Sequence, residues 1–259
     1  MRFYEYESKQ ILQTVGIPLP KSHFCTNAQE AKTAAETIGG PVVIKSQVLS
    51  GGRMKAGGVK FADTPQEAEG LAQEILDLRI KDLLPVGVLV EEKQAIAHEY
   101  YAAVTWDGRA KKPVIIFSDM GGIDIEEVAE SHPEHLTRTH FSTNLPFSDY
   151  IAKMAVAGTG VTGNDLTALT RIVAGLGRVF LDRDMTLAEI NPIGKLEDGR
   201  IIALDCHMDM EQEAQRTHAD LLGKLGLNPD DKRQARPPTQ FELDAEHLDA
   251  SDPRGVAGN

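Results

Sequence analysis

The chain has 259 residues, 41% hydrophobic content and a formal net charge of −12, with a pI near 5.1. That length suits one large domain or two small ones, and the acidic balance excludes a broad basic surface for nucleic acid. No apolar run approaches the roughly 20 residues of a membrane span, MRFYEYESKQ is too charged for a signal peptide, and Cys25 and Cys206 have neither metal-site nor disulfide-framework spacing. A cytoplasmic protein with two free thiols, and with neither nucleic acid nor membrane as partner, is the expectation.

Taken in order, Tyr4 to Val15 reads as a helix, with Tyr4, Ile11, Leu12 and Val15 near helical spacing and Gly16 as the stop. Ile17 to Pro20 is a stiff extended connector, and His23 to Cys25 a short strand. Asn27 with Glu30 opens an alanine-rich helix that ends at Gly39-Gly40. Residues 42–61, VVIKSQVLSGGRMKAGGVKF, read as strand, glycine-rich loop, strand. Thr64-Pro65-Gln66-Glu67 starts a helix to about Leu78, and Val86 to Val90 is β-rich, ending at Glu91 and Glu92. Tyr100 to Trp106 and Val114 to Phe117 form two antiparallel strands across Asp107-Gly108. Short helices follow at Asp124 to Glu130 and Ser148 to Ala157. A long one, Asp165 to Leu181, has Asn164 as its cap and Leu166, Leu169, Ile172, Val173, Leu176, Val179 and Phe180 on its inner face. Met185 to Ile190 and Arg200 to Leu204 are strands joined through Asp198-Gly199. After about Gly226, Pro229, Pro237, Pro238 and Pro253 fall among polar residues, which reads as a tail or linker. The alternation is that of an α/β or α+β protein.

Residues 42–61 carry the strongest chemical signal. Glycines let a backbone approach phosphate oxygens, successive N–H groups make an anion nest, and Lys45, Arg53 and Lys55 add positive charge within an acidic chain. An ordinary hairpin with a loose tip is the plain alternative. Gly158 to Gly163 matches G-x-G-x-x-G, but the run before it reads as helix where a dinucleotide site needs a strand, so a helix–helix turn is expected. There is no G-x-x-x-x-G-K-[ST] and no G-x-S-x-G. His132 and His135, beside Pro133, fit a surface loop better than a metal pair. Asn191 and Asp205 end two predicted strands. Brought together they make a hard-oxygen site for Mg²⁺ with nucleotide phosphates; apart, they cap turns. Glu91 and Glu99, after the run Val88 to Val90, suit an adenine amino group or a ribose hydroxyl, or are solvated charges on a connector.

Together these residues resemble the ATP-grasp half of a succinyl-CoA synthetase β subunit. FYEYESKQIL resembles that family's L-H-E-Y-Q-A-K-x-L, and GIPLP its G-[LIV]-P-x-P. VVIKSQVLSGGRMKAGGVK resembles V-V-K-x-Q-V-x-A-G-G-R-G-K-A-G-G-V-K, and VLVEEKQAIAHEYYAAV resembles L-V-E…I-x-K-E-x-Y. GGIDIEEVAE resembles G-G-x-x-I-E-x-V-A-E, and AEINPIGKLEDGRIIALD resembles E-I-N-P-L…G-x-x-x-x-L-D. The order holds across residues 1 to about 225.

The resemblance implies an ATP-grasp fold over residues 1–226. A small lid at about 21–94 would close on a larger nucleotide-binding lobe, and residues 227–259 would lead to a further CoA-ligase domain. It implies that Lys45 contacts the nucleotide phosphates and that Gly52, Arg53 and Met54 lie on the loop covering them. Glu91, Gln94 and Glu99 would face adenine and ribose, and Asn191 and Asp205 would hold Mg²⁺. The implied activity is that of an ADP-forming acid–CoA ligase of the tricarboxylic acid cycle, with ATP and Mg²⁺ as cofactors. A partner α subunit would carry the phosphohistidine and the CoA site, with a carboxylic acid as substrate. An ATP-citrate lyase-type subunit and a non-catalytic nucleotide-binding module are the alternatives. Four positions depart from the pattern: Met54 stands in place of a glycine, His98 of a lysine, and Cys206-His207 of Gly-Lys. The resemblance runs out where a second α/β domain is expected, as in a fragment, an excised domain or a dissected subunit.

Overall fold

The computed structural model describes residues 1–229, 233 and 239–251. Helix α1 (Glu5–Thr14) comes first, and its amide start is closed by the Tyr4 N–H donating to Glu7 Oε2 at 2.9 Å. Ile11 and Leu12 are fully buried, and Glu5, Glu7, Ser8 and Lys9 in the preceding turns are buried as well. A helix with its charged face also buried must satisfy those charges internally.

The first sheet has four antiparallel strands. They are β1 (Ser22–Cys25), β2 (Val42–Ser46), β3 (Val59–Ala62) and β4 (Val88–Glu92), in the order β1-β4-β2-β3. Two helices, α2 (Ala28–Ile38) and α3 (Pro65–Leu76), cover one face through Ala31, Ala35, Ala68, Ala72 and Ile75. Both start as the sequence predicts: Asn27 accepts from the Glu30 amide, and Thr64 and Glu67 form a capping box ahead of Pro65. Gly39 ends α2 at φ 77°, a left-handed conformation suited to glycine. In the hairpin β2–β3, Lys45 pairs with Val59, so the glycine-rich loop hangs from the strand ends.

The second sheet is built from β5 (Ile96–Asp107), β6 (Lys112–Ser118), β7 (Leu136–His140), β8 (Met185–Leu196), β9 (Ile201–Ala203) and β10 (Cys206–Met210). Its order is β10-β8-β5-β6-β7, with β9 also paired to β8. Helix α4 (Ile125–Ser131) follows β6, and α5 (Asp149–Ala157) and α6 (Gly163–Asp182) precede β8. Leu169, Ile172, Val173, Leu176, Val179 and Phe180 of α6 join Ala102, Val104, Ile115, Phe117, Ala188 and Ile190 in the main core, as the periodicity predicts. Each of the valine, leucine, isoleucine and phenylalanine side chains contributes on the order of 1.5–3 kcal/mol on burial.

Several elements differ from the sequence expectation. Strand β8 runs on past Ile190, because Pro192 falls where the β5–β8 ladder is irregular and only its carbonyl is needed, accepting from the Leu204 amide at 3.0 Å. The sequence does not announce strand β10, whose half-buried positions carry His207 and Asp209, the latter a poor strand former, although Cys206, Met208 and Met210 alternate inward. The short edge strand β7 and the helix α7 (Ala219–Lys224) were also not expected. Helix α6 starts at Gly163 with Thr162 as its cap, not at Asn164. Within the stretch read as a tail, Gln240–Ser251 forms helix α8, with Phe241, Leu243 and Leu248 exposed; Pro237, Pro238 and Pro253 lie outside the described residues.

Candidate functional site

The glycine-rich loop, the ends of β2 and β4, helix α1 and the β9–β10 junction meet in one cleft. At its base lies a buried ion lattice. The Lys45 ammonium donates to Glu5 Oε1 at 2.9 Å, Glu91 Oε1 at 2.8 Å and the Leu204 carbonyl at 2.6 Å. Those three bonds use every hydrogen it has. Lys9 adds a bond to the Leu204 carbonyl at 2.8 Å, an ion pair to Glu5 at 3.0 Å and another to Glu91. The Arg53 guanidinium spans the remaining gap. Its Nη1 donates to Glu5 Oε2 at 2.7 Å and to the Ser46 carbonyl at 3.0 Å, and its Nη2 to both oxygens of Asp205 at 2.8 and 2.7 Å. Lys9, Lys45 and Arg53 are thus balanced by Glu5, Glu91 and Asp205. Burial works against the charge on Glu5, but Lys45, Lys9 and Arg53 overcome it and hold its carboxyl well below the ordinary range. Burial likewise opposes the charge on Lys45, and Glu5 and Glu91 overcome it, so the ammonium titrates above its usual value.

The distance between Asn191 and Asp205 in the sequence closes in the fold. Because β9 and β10 both pair with β8, Leu204-Asp205 lies opposite Asn191-Pro192, and the Asn191 amide donates to the Asp205 carbonyl at 3.0 Å. The Asn191 side chain reaches toward the loop after β6: Oδ1 accepts from the Gly122 amide at 2.9 Å and Nδ2 donates to the Ile123 carbonyl at 3.2 Å. Glu99 borders the same loop. Its carbonyl accepts from the Gly121 amide at 2.9 Å, and its carboxylate lies over Gly122, where a Cβ would stand 2.1 Å from Oε2. The backbone there has φ 74°, a left-handed conformation that favours glycine. Across the cleft mouth, Lys55 pairs with Asp124 at 3.1 Å, so the glycine-rich loop already touches this wall.

Within that loop the amides of Ala56, Gly57 and Gly58 donate to the carbonyls of Gly52, Met54 and Arg53. The amides of Gly52, Arg53 and Met54 make no backbone hydrogen bond among the described residues. Met54 is 67% exposed and does not take a positive φ, so this position makes no demand for glycine.

The expected site residues therefore fall into groups. Lys45, Arg53 and Asp205 are in one lattice, and Asn191 and Glu99 meet at Gly122. Glu91 is buried behind Lys45 and Lys9 and braces both cations. Gln94 is half-buried just beyond β4, its amide 3.5 Å from the Glu92 carbonyl, on the crossing between the two sheets. Gly158 to Gly163 joins α5 to α6, as expected of a turn. His135 Nδ1 bonds Asp119 at 2.8 Å, and no group of His, Cys, Asp or Glu suited to a metal occurs among the described residues by side-chain clustering alone. His98, at the family's lysine position, bonds the Asp119 carbonyl at 2.8 Å.

Sequence reasoning missed Glu5 and Lys9 as individual residues. Their signal was present in EYESK, which coincides with E-Y-x-x-K of the family's opening. It also passed over Glu189. That side chain lies on the sheet face opposite the core, accepts from the Tyr101 hydroxyl at 2.9 Å and pairs in register with His207. Burial pushes its carboxyl above the ordinary value despite the tyrosine bond. Cys206 turns into the core, its thiol donating to the Glu5 carbonyl at 3.8 Å.

Residues 2–195 match the family model described as the ATP-grasp domain. The chain is 42% identical over 221 residues to the succinate–CoA ligase [GDP-forming] subunit beta of Thermus thermophilus, covering 85% of this chain and 58% of the relative. It is 37% identical over 242 residues to the succinate–CoA ligase [ADP-forming] subunit beta of Myxococcus xanthus, covering 90% and 63%. The chain thus spans about three fifths of the length of these curated relatives. Among solved structures it is similar in fold to the dinucleotide forming acetyl-coenzyme A synthetase 1 of Ca. Korarchaeum cryptofilum in complex with coenzyme A, Ca-AMPCP and HgCl+. The TM-score is 0.66 at 20% identity, over 81% of this chain and 93% of that one.

Proposed function

The chain belongs to the ATP-grasp family and is a relative of the succinate–CoA ligase β subunits, and on that premise we propose that it binds Mg-ATP in the cleft between its two sheets and presents it for phosphorylation of a partner-subunit histidine. The observation that carries this reading is the convergence of Lys45 and Arg53, from the glycine-rich hairpin, and Asp205, 152 residues beyond Arg53, in one ion lattice beside Asn191. Asn191 and Asp205 offer hard oxygens suited to Mg²⁺, which neutralises phosphate charge when bound. Lys45 and Arg53 then attract the phosphates, and the amides of Gly52, Arg53 and Met54 cover them. Phosphoryl transfer asks the protein for positioning and charge neutralisation rather than a nucleophile on the ATP side. In the whole protein the phosphohistidine would pass its phosphoryl group to a carboxylic acid, and coenzyme A would displace phosphate to give the thioester. Succinate is favoured over citrate by the names of the relatives at 37 and 42% identity. Met54, exposed and unstrained, leaves the loop able to serve a catalytic site rather than a binding module alone.

The test is transfer of label from γ-³²P-ATP to a co-purified α subunit. Acid-labile, base-stable label on that subunit, dependent on Mg²⁺ and lost in Lys45→Ala, is expected. ATP binding without any label would support the non-catalytic module instead.

A further inference from the structure

We propose that Arg53 keeps the metal carboxylate shut, so that a divalent cation enters the cleft together with the nucleotide and not ahead of it. The inference rests on the nucleotide reading above and adds an order to it. Both oxygens of Asp205 accept from the single nitrogen Nη2 of Arg53, at 2.8 and 2.7 Å, a charge-assisted contact. The second oxygen ligand is engaged too, since both polar atoms of the Asn191 side chain are bonded to the 122–123 backbone. A cation arriving alone must break the Arg53–Asp205 contact and then sit beside the guanidinium it displaced, which like-charge repulsion opposes.

The two ends of the guanidinium are held differently. Nη1 is fixed from inside by the Glu5 carboxylate and the Ser46 carbonyl, and the Glu5 side chain is 2% exposed. Nη2 faces Asp205, whose side chain is 36% exposed. Exchange is therefore one-sided. A polyphosphate offers Nη2 a replacement acceptor of matching geometry while Nη1 keeps its anchors, and Asp205 is released to the metal. Free metal has no such replacement to give, and a ligand shifts an equilibrium only by its difference in affinity for the two states.

The experiment is a titration with Mn²⁺ as the probe, free ion being read by electron paramagnetic resonance, without nucleotide and then with ATP. The wild-type chain is expected to bind Mn²⁺ alone at least tenfold more weakly than Arg53→Gln does, and to take up one ion when ATP is added. Asp205→Asn placed on Arg53→Gln should abolish the gained site. Arg53→Lys, which keeps the charge but not the fork, should fall between, and it decides the matter if Arg53→Gln does not fold. Equal Mn²⁺ affinity in the wild type and both Arg53 variants, with Mn-ATP still bound by the wild type, overturns the ordering and leaves the nucleotide reading standing. Failure of the wild type to bind Mn-ATP overturns the nucleotide reading itself.

Discussion

Two regions of buried carboxylate lie near Asp205 and are treated in opposite ways. At α1, the carboxylates of Glu5 and Glu91 are buried against Lys9, Lys45 and Arg53, and Glu5 is held ionised. On the large sheet, Glu189 has a tyrosine hydroxyl as its hydrogen-bond donor and is pushed toward its neutral form by burial. Burial alone raises both; the cations decide the difference. The first region is a closed account of charge in which each member depends on the others. The second is a single polar side chain whose proton affinity is open to adjustment.

The strongest way to break this contrast is to remove a cation from the first region. Lys45→Ala leaves Glu5 and Glu91 with Lys9 as their one shared cation, and a buried pair broken from one side costs about 3–5 kcal/mol. A denaturant titration should show that loss, and Mg-ATP affinity should fall by about 100-fold, near the worth of one charge-assisted hydrogen bond passed from the lattice to a phosphate. A variant of near wild-type stability would contradict the lattice.

Acid titration comes next and separates the two carboxylates by sign. The folded-state value of Glu5 is depressed, so its contribution is present above the unfolded value of about 4.5 and disappears as pH falls below that. Glu189 is raised, so its contribution is present below about 4.5 and disappears as pH rises through its folded value. Glu189→Gln should therefore stabilise the chain at pH 7 and leave it unchanged at pH 4, whereas Glu5→Gln should destabilise it at pH 7 and flatten the acid limb. Thermal midpoints at the two pH values read both outcomes.

Smaller effects sharpen the same comparison. Tyr101→Phe removes the hydrogen bond to Glu189 and should cost about 1 kcal/mol at pH 7, with the carboxyl value moving further upward in a carboxylate NMR titration. Met54→Gly touches neither region, and stability should stay within about 0.5 kcal/mol. A larger loss would show that Met54 shapes the loop.

The sequence carried the small sheet well because its helices announce themselves with local signals: Asn27 and Glu30, then Thr64, Pro65 and Glu67. It carried Lys45 and Arg53 because glycines bracket them. It did not carry α1 as a hub, since Glu5 and Lys9 in a helix beside Ile11 and Leu12 look like its solvated side. Only tertiary contacts, 40 to 195 residues away in sequence, show that both faces are buried. The same limit hid the bracing role of Glu91, whose partners lie on α1 and β2. Asn191 and Asp205 were paired correctly as a possibility, but their meeting depends on β8 continuing beyond Pro192, which local pattern argues against.

The most direct test of the cleft is calorimetric titration with ATP in the presence and absence of Mg²⁺, on the wild-type chain, Lys45→Ala and Asp205→Ala. The account predicts one site in the wild type that requires Mg²⁺ and is lost in both variants. Binding that is indifferent to Mg²⁺, or that survives in either variant at wild-type strength, would place the nucleotide elsewhere and contradict it.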